Sequence, residues 1–283
     1  MIKKFIDKLL GRSDAADKPS MGKRLVIAAS VHGIDPHQVD ERAVQVVKTL
    51  QERGFAAYIV GGAVRDLLMG LSPKDFDVAT DATPEEVKSL FRRAFIIGRR
   101  FRIVHVVFGR GREHEVIEVY TFRAYLDSND AEQVSGNERT SKKALSNMTH
   151  AVDASGRVLR DNVWGPQEED AVRRDFTINS LYADQDGVII DLVGGLADIA
   201  ARRVRFIGDP VARIREDYLR ILRFFRFQSD YAEGAPDAAA LAALQSEKTG
   251  LDTLSRERIR AEFLKILCSR RAVETLALMA ETG

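Results

Sequence analysis

The sequence predicts an α+β fold, a mixed α/β front followed by an all-helical back. Three observations carry this expectation. Short apolar runs alternate with helical patterns as far as Leu192, only helical spacing remains beyond Arg205, and glycine or proline marks most of the changeovers. On this reading residues 1–24 form a flexible N-terminal segment, 25–206 the α/β unit and 207–283 the helical one.

At the start, Ile2, Phe5, Ile6, Leu9 and Leu10 fall near helical spacing among lysines. That fits a frayed amphipathic helix, or alternatively a membrane-surface or targeting segment. Gly11–Lys23 is small and polar and reads as a linker. A helix is predicted from Asp35 or His37 to Arg53, with Val39, Ala43, Val46, Val47 and Leu50 on one face, and Gly54 ends it. Ala56–Val60 is a strand, and Gly61-Gly62 turns it into a helix reaching about Met69. After Gly70 and Pro73 comes a strand at Asp75–Ala79. Thr83, Pro84 and two glutamates then make a well-capped helix start.

Three β-rich runs follow, at Ala94–Ile97, Ile103–Phe108 and Glu115–Phe122. From Tyr125 to about Asp161 the chain is polar and aperiodic, and Asp127–Arg157 is expected to be disordered in the free protein. Helices are predicted at Glu168–Arg173 and Thr177–Tyr182, and a strand at Val188–Leu192. The back of the chain reads as helices at Pro210–Phe227, Ala238–Gln245, Ser255–Cys268 and Arg271–Ala280, with no internal repeat. Leu219, Leu222 and Phe225–Phe227 have the look of core packing.

Composition narrows the class. Hydrophobic residues at 45% and charged residues at 30% fit an ordinary globular protein, and a net charge of +1 removes any argument from overall basicity. The distribution says more. Arg92 to Arg112 holds seven arginines and no acid, and Arg202 to Arg226 holds eight against three acids, which suits a polyanion or a solvated face. Cys268 is the only cysteine, so no intrachain disulfide can form, and its apolar helical setting suggests a small core residue. No apolar run approaches the ~18 residues of a membrane span, and the cytoplasm is the expected compartment.

Asp75-Phe-Asp-Val78 is the central chemical signal. On a strand, residues two apart point the same way, so Asp75 and Asp77 would share a side while Phe76 and Val78 face the core. Two such carboxylates repel unless a cation lies between them. Mg²⁺ takes carboxylate and phosphate oxygens, and a two-metal site can activate a hydroxyl while stabilising a departing pyrophosphate. A solvated strand end would also explain an isolated Asp-x-Asp. Glu118, alternating with apolar residues in Val116–Tyr120, adds a third acid, or else marks an outward face. Upstream, Gly61-Gly62 followed by Arg65 would let a backbone approach a triphosphate at a helix start, although alone it is a common tight turn.

These residues lie within a longer set: Val60-Gly-Gly-Ala-Val-Arg-Asp66, Lys74-Asp-Phe-Asp-Val-Ala-Thr80, Arg173-Arg-Asp-Phe-Thr-Ile-Asn179 and Glu216-Asp-Tyr-Leu-Arg220. In this order they resemble the class II tRNA nucleotidyltransferase/bacterial poly(A) polymerase family, over about residues 35–270. The resemblance implies a polymerase β-like nucleotidyltransferase head with a small mixed sheet, then a helical neck and partial body. It implies Mg²⁺ on Asp75 and Asp77, with Glu118 as the third catalytic carboxylate. Gly61, Gly62 and Arg65 would meet the triphosphate, and Arg174, Asp175 and Asn179 the sugar and phosphates of the incoming nucleotide. Without the family context, Arg173 to Asp175 would read as a surface pair.

Asp217, Arg220 and Arg223 would share a helix face. A carboxylate acceptor beside a guanidinium donor can match the Watson–Crick edge of a base, and an intrahelical Asp–Arg pair is the plainer alternative. Pro73-Lys-Asp-Phe-Asp77, Ile97–His105 and Arg160–Gly165 resemble bacterial poly(A) polymerases, whereas Arg203–Gly208 and Glu216–Arg226 are closer to CCA-adding enzymes. The expectation is therefore AMP transfer from ATP to an RNA 3′ end, mRNA or tRNA. The alternatives are CCA addition, using CTP as well, and a non-catalytic RNA-binding protein on the same scaffold. The chain stops at Gly283, where family members continue into further helical segments, so a shortened body is expected.

Overall fold

The computed structural model describes residues 24–98, 102–110, 113–124, 132–133, 150–152, 158–161 and 163–283. The expected flexibility of 1–23 lies outside them, as does that of 127–157 apart from two short strands. The described residues fall into two compact units. Of the described residues, one comprises 24–174 together with Asn179–Leu192, and the other Asp175–Ile178 together with Val193–Gly283.

The first unit is built on an eight-stranded sheet. In chain order its strands are β1 (Leu25–Ile27), β2 (Ala57–Val60), β3 (Asp77–Thr80), β4 (Ala94–Ile97), β5 (Ile103–Arg110) and β6 (Glu113–Thr121), with two more after a small separate sheet. That small sheet is β7 (Glu132–Gln133), β8 (His150–Val152) and β9 (Val158–Asp161); the last two strands of the large sheet are β10 (Leu181–Ala183) and β11 (Ile189–Asp191). The spatial order is β1-β11-β10-β2-β3-β6-β5-β4. Every pairing is antiparallel except β3 with β6, which makes the sheet mixed.

Helix α1 (Ala29–His32) follows β1, and neither element was predicted. Helix α2 (Glu41–Glu52) starts where Asp40 accepts the backbone N–H of Arg42, and it buries Ala43, Val46, Val47 and Leu50, four of the five residues predicted for that face. Helix α3 (Gly62–Leu68) leaves the glycine turn, and α4 (Pro84–Leu90) begins in a capping box between Thr83 and Glu86. Val78, Val104, Val106, Ile117 and Val119 are all buried on one side of the sheet. Burying such side chains is worth roughly 1.5–3 kcal/mol each, which fixes the strand register, since a one-residue slip would turn them to the other face.

Two expectations need correction here. The strand predicted from Asp75 begins at Asp77, so Asp75 lies in the preceding turn and is exposed, and Phe76 is only half-buried while Val78 is fully buried. The run Thr177–Tyr182 is not a helix. A 3-10 turn at Thr177–Asn179 leads straight into β10, which lies between β2 and β11. Six residues give an isolated helix little stability, whereas β10 gains two ladders and buries Leu181 and Tyr182 completely.

The second unit, past a short α5 (Gln167–Val172) of the first, is helical. It contains α6 (Gly195–Ala200), which was not predicted, then α7 (Pro210–Glu216), α8 (Leu219–Tyr231), α9 (Ala238–Glu247), α10 (Arg256–Leu267) and α11 (Ala272–Thr282). Its core is aromatic: Phe176 lies 4.9 Å from Phe206 and 5.0 Å from Phe227, and Phe206 stacks 5.7 Å from Phe224, ring centre to ring centre. Asp198, fully buried, accepts from Thr177 Oγ1 at 2.5 Å, Arg203 Nε at 2.8 Å and Arg205 Nε at 3.0 Å. This gives the buried charge the partners it requires.

The helix predicted as continuous over Pro210–Phe227 breaks at Asp217. There the backbone is extended (φ −157°, ψ 104°), and the Asp217 carboxylate accepts the backbone N–H of Leu219 at 3.2 Å. Aspartate competes for backbone N–H groups in this way and favours a helix start over a helix middle. Cys268 is exposed, not in the core. The buried face of α10 is set by Glu262 and Ile266, and a residue two beyond Ile266 lies about 200° further round the helix.

Candidate active site

Sheet register aligns the acidic residues of the first unit. Asp77 on β3 is the parallel neighbour of Glu118 on β6, and Glu118 is opposite His105 on β5. On the other side Asp77 is paired with Val60, and Val60 with Tyr182. A single line across the sheet thus runs Tyr182–Val60–Asp77–Glu118–His105. The Asp77 carboxyl is pushed up to about 6, from an ordinary 3.8, by burial and then by the charges of Glu118 and Asp75, against the opposing pull of Arg174. Glu118 receives the hydroxyl of Tyr120 on Oε2, and His105 Nε2 lies 3.3 Å from Oε1. Among the described residues no three acidic, histidine or cysteine side chains converge closely enough to hold an ion by themselves. Asp75 and Asp77 are the two donors that could share one with a phosphate ligand, the arrangement Mg²⁺ favours.

A basic group borders this line. Arg65, buried on α3, donates from Nη1 to Asn179 Oδ1 at 2.5 Å and from Nε to Asp66 at 2.9 Å. Arg174 Nη2 reaches Asp170 at 2.9 Å, and its guanidinium lies over the Tyr182 ring, 5.5 Å from the ring centre. Burial works to raise the Asp170 carboxyl, but Arg174 outweighs it and holds the group below the usual carboxylate range. Gly61 joins β2 to α3 at φ 71°, ψ −127°, a conformation open essentially to glycine alone. A β-carbon there would stand 3.4 Å from Arg174 Nη1. The positive φ alone is therefore expected to make Gly61→Ala cost about 1–3 kcal/mol in urea unfolding; an unchanged midpoint would contradict that backbone conformation.

The fold thus brings Gly61, Gly62, Arg65, Arg174 and Asn179 together on the unit that carries Asp77 and Glu118. The remaining predicted residues belong to the helical unit. Asp175 Oδ2 accepts from Arg223 Nε at 2.8 Å. Asp217 and Arg220, expected to form a row, have other partners: Asp217 accepts from Arg258 at 2.7 Å, and Arg220 donates to Glu216 at 2.6 Å. The helix break at Asp217 is the cause. Sequence reasoning missed Asp170, His105 and Tyr120. Tyr120 was legible as the same-face neighbour of Glu118 two residues on, whereas His105 required the β5–β6 register.

The Poly A polymerase head domain matches residues 57–205, more than half of the chain. The chain belongs to the poly(A) polymerase head-domain family. A second match of this family member, residues 236–283, is to the probable RNA and SrmB-binding site of polymerase A. Among its relatives, poly(A) polymerase I of Haemophilus influenzae is 42% identical over 91% of this chain and 53% of its own length. The CCA-adding enzyme of Bacillus licheniformis is 36% identical over 86% and 54%. In structure, the Bacillus stearothermophilus CCA-adding enzyme in complex with CTP superposes with a TM-score of 0.67 at 33% identity, covering 86% of this chain and 52% of that one. The chain spans about half the length of the curated relatives it matches.

Proposed function

We propose that this chain carries the catalytic machinery of a template-independent RNA 3′-terminal nucleotidyltransferase that transfers AMP from ATP and releases pyrophosphate. The observation that carries the reading is the pairing of Asp77 with Glu118 on adjacent parallel strands, beside Asp75. Burial first, and then the facing Glu118, disfavour the charged Asp77 carboxylate, and a divalent cation is the natural complement of such a pair. Asp75 and Asp77 would hold Mg²⁺, and Glu118 is the third carboxylate. When bound, such ions activate the attacking 3′-hydroxyl and neutralise the leaving pyrophosphate.

The chain's own part is positioning. The Gly61-Gly62 turn gives the triphosphate access to backbone, and Arg65 and Arg174 supply charge-assisted donors for its oxygens. Asn179, bonded to Arg65, is assigned to the nucleotide's sugar. Asp175, Asp217, Arg220 and Arg223 of the helical unit are assigned to the sugar and base of the nucleotide. No helix of the described residues is long and apolar enough to cross a membrane, and the compartment that suits an RNA-end substrate is the cytoplasm.

Polyadenylation is preferred over CCA addition because the similarity to poly(A) polymerase I, at 42%, exceeds that to the CCA-adding enzyme, at 36%. The likeness in structure to a CCA-adding enzyme favours the second reading. The purified chain should be incubated with Mg²⁺ and two RNAs, an unstructured oligonucleotide and a tRNA lacking its terminal CCA, with ATP and CTP supplied separately and together. A ladder from ATP alone on the oligonucleotide is expected. Addition that halts after CCA on the tRNA would select the second reading, and RNA binding without incorporation would overturn both.

A further inference from the structure

The carboxylate row contains more than acids, and its neighbours on β5 and β6 have no place in the chemistry assigned so far. Strand alternation sets Val116, Glu118 and Tyr120 on one face of β6, opposite the buried Ile117, Val119 and Thr121. Glu118 is hydrogen-bonded on one oxygen and flanked on the other from within that face. Tyr120 donates its hydroxyl to Oε2, and Oε1 faces His105 Nε2 at 3.3 Å across the β5–β6 ladder. The Nε2 of His105 is buried and has no hydrogen-bond partner, so the contact with Glu118 has ion-pair distance without hydrogen-bond alignment. A glutamate has three rotatable bonds and would otherwise sample several rotamers beside Asp77.

We propose that Tyr120 and His105 are positioning residues that clamp the Glu118 carboxylate in place beside Asp77. The reading rests on the nucleotidyltransferase function proposed above, in which Glu118 is the third carboxylate. Tyr120 is suited to the task because its hydroxyl donates directly to the Glu118 carboxylate from the same face of β6. His105 closes the other side. With the carboxylate bounded on two sides, its free lone pairs are left to face Asp77's neighbourhood, a pre-ordering that lowers the cost of assembling a reactive geometry.

The test is a double-mutant cycle in the full chain, with two readouts. In steady-state incorporation, Tyr120→Phe and His105→Asn are each expected to lower kcat about 5- to 20-fold, with KM for ATP within twofold of the parent. In a Glu118→Gln background, Tyr120→Phe is expected to cause no further loss. A role in packing alone would lower kcat equally in both backgrounds, and that result overturns the clamp. In urea unfolding of the metal-free chain, the Tyr120→Phe and Glu118→Gln changes are expected to be non-additive by a few-fold in the unfolding constant; additivity overturns the clamp. If the parent incorporates no nucleotide, the function proposed above fails, and the unfolding cycle alone decides the contact.

Discussion

Asp77→Asn is expected to lower nucleotide incorporation by on the order of 10³-fold or more, and to make the metal-free protein more stable above about pH 6. The first effect follows from the several kcal/mol of transition-state charge stabilisation that a bound divalent ion supplies, at about 1.4 kcal/mol per tenfold in rate. The second follows from the environment of the side chain. Burial and the facing Glu118 raise the Asp77 carboxyl to about 6 in the folded chain, against its ordinary 3.8. The folded state therefore binds the proton more tightly than the unfolded state, so the stabilisation is complete below about pH 4 and is lost as pH rises through about 6. Ionised Asp77 at pH 8 costs the metal-free fold something on the order of 1–2 kcal/mol, allowing for its partial exposure. Asparagine has nearly the same shape and carries no charge, so it removes this cost. Melting temperatures of parent and variant should diverge between pH 4 and pH 7 and run parallel above. Added Mg²⁺ should stabilise the parent alone, and a pH-independent difference between the two proteins would refute the account.

Much of this site was legible in the sequence because its chemistry is local. Gly61-Gly62 and Arg65 are contiguous with a strand end, and Asp77 is distinguishable from its neighbours by alternation with Val78. The α2 face was readable from four apolar residues at helical spacing, since burial of that face is what stabilises the helix. What failed was whatever depended on tertiary pairing. The run Leu181–Ala183 has no strong preference of its own and became a strand because β2 and β11 offered ladders on both sides. His105 entered the site only through the register of β5 against β6, which the sequence does not state. Asp217 illustrates the opposite error. Its spacing from Arg220 suggested a pair on one helix face, and the local preference of aspartate for capping broke the helix at Asp217 itself.

That break also explains why a glycine far along the chain should tolerate no substitution. Tyr218, the residue between Asp217 and the first turn of α8, lays its ring against Gly250 in the 3-10 stretch Lys248–Thr253. A β-carbon on Gly250 would fall 2.0 Å from two carbons of that ring and 2.5 Å from a third, far inside van der Waals contact. Gly250 itself is buried, so neither partner can yield without moving a helix start or the turn. Gly250→Ala is expected to destabilise the helical unit by at least the ~1–3 kcal/mol typical of overpacking, seen as a lower midpoint in urea. The cause is separable from a general intolerance of the turn. Tyr218→Ala alone should also destabilise by leaving a cavity, yet combined with Gly250→Ala the new methyl would occupy part of the vacated space. The double variant should therefore be more stable than the sum of the two losses predicts. Strict additivity would mean that the ring and the glycine do not meet.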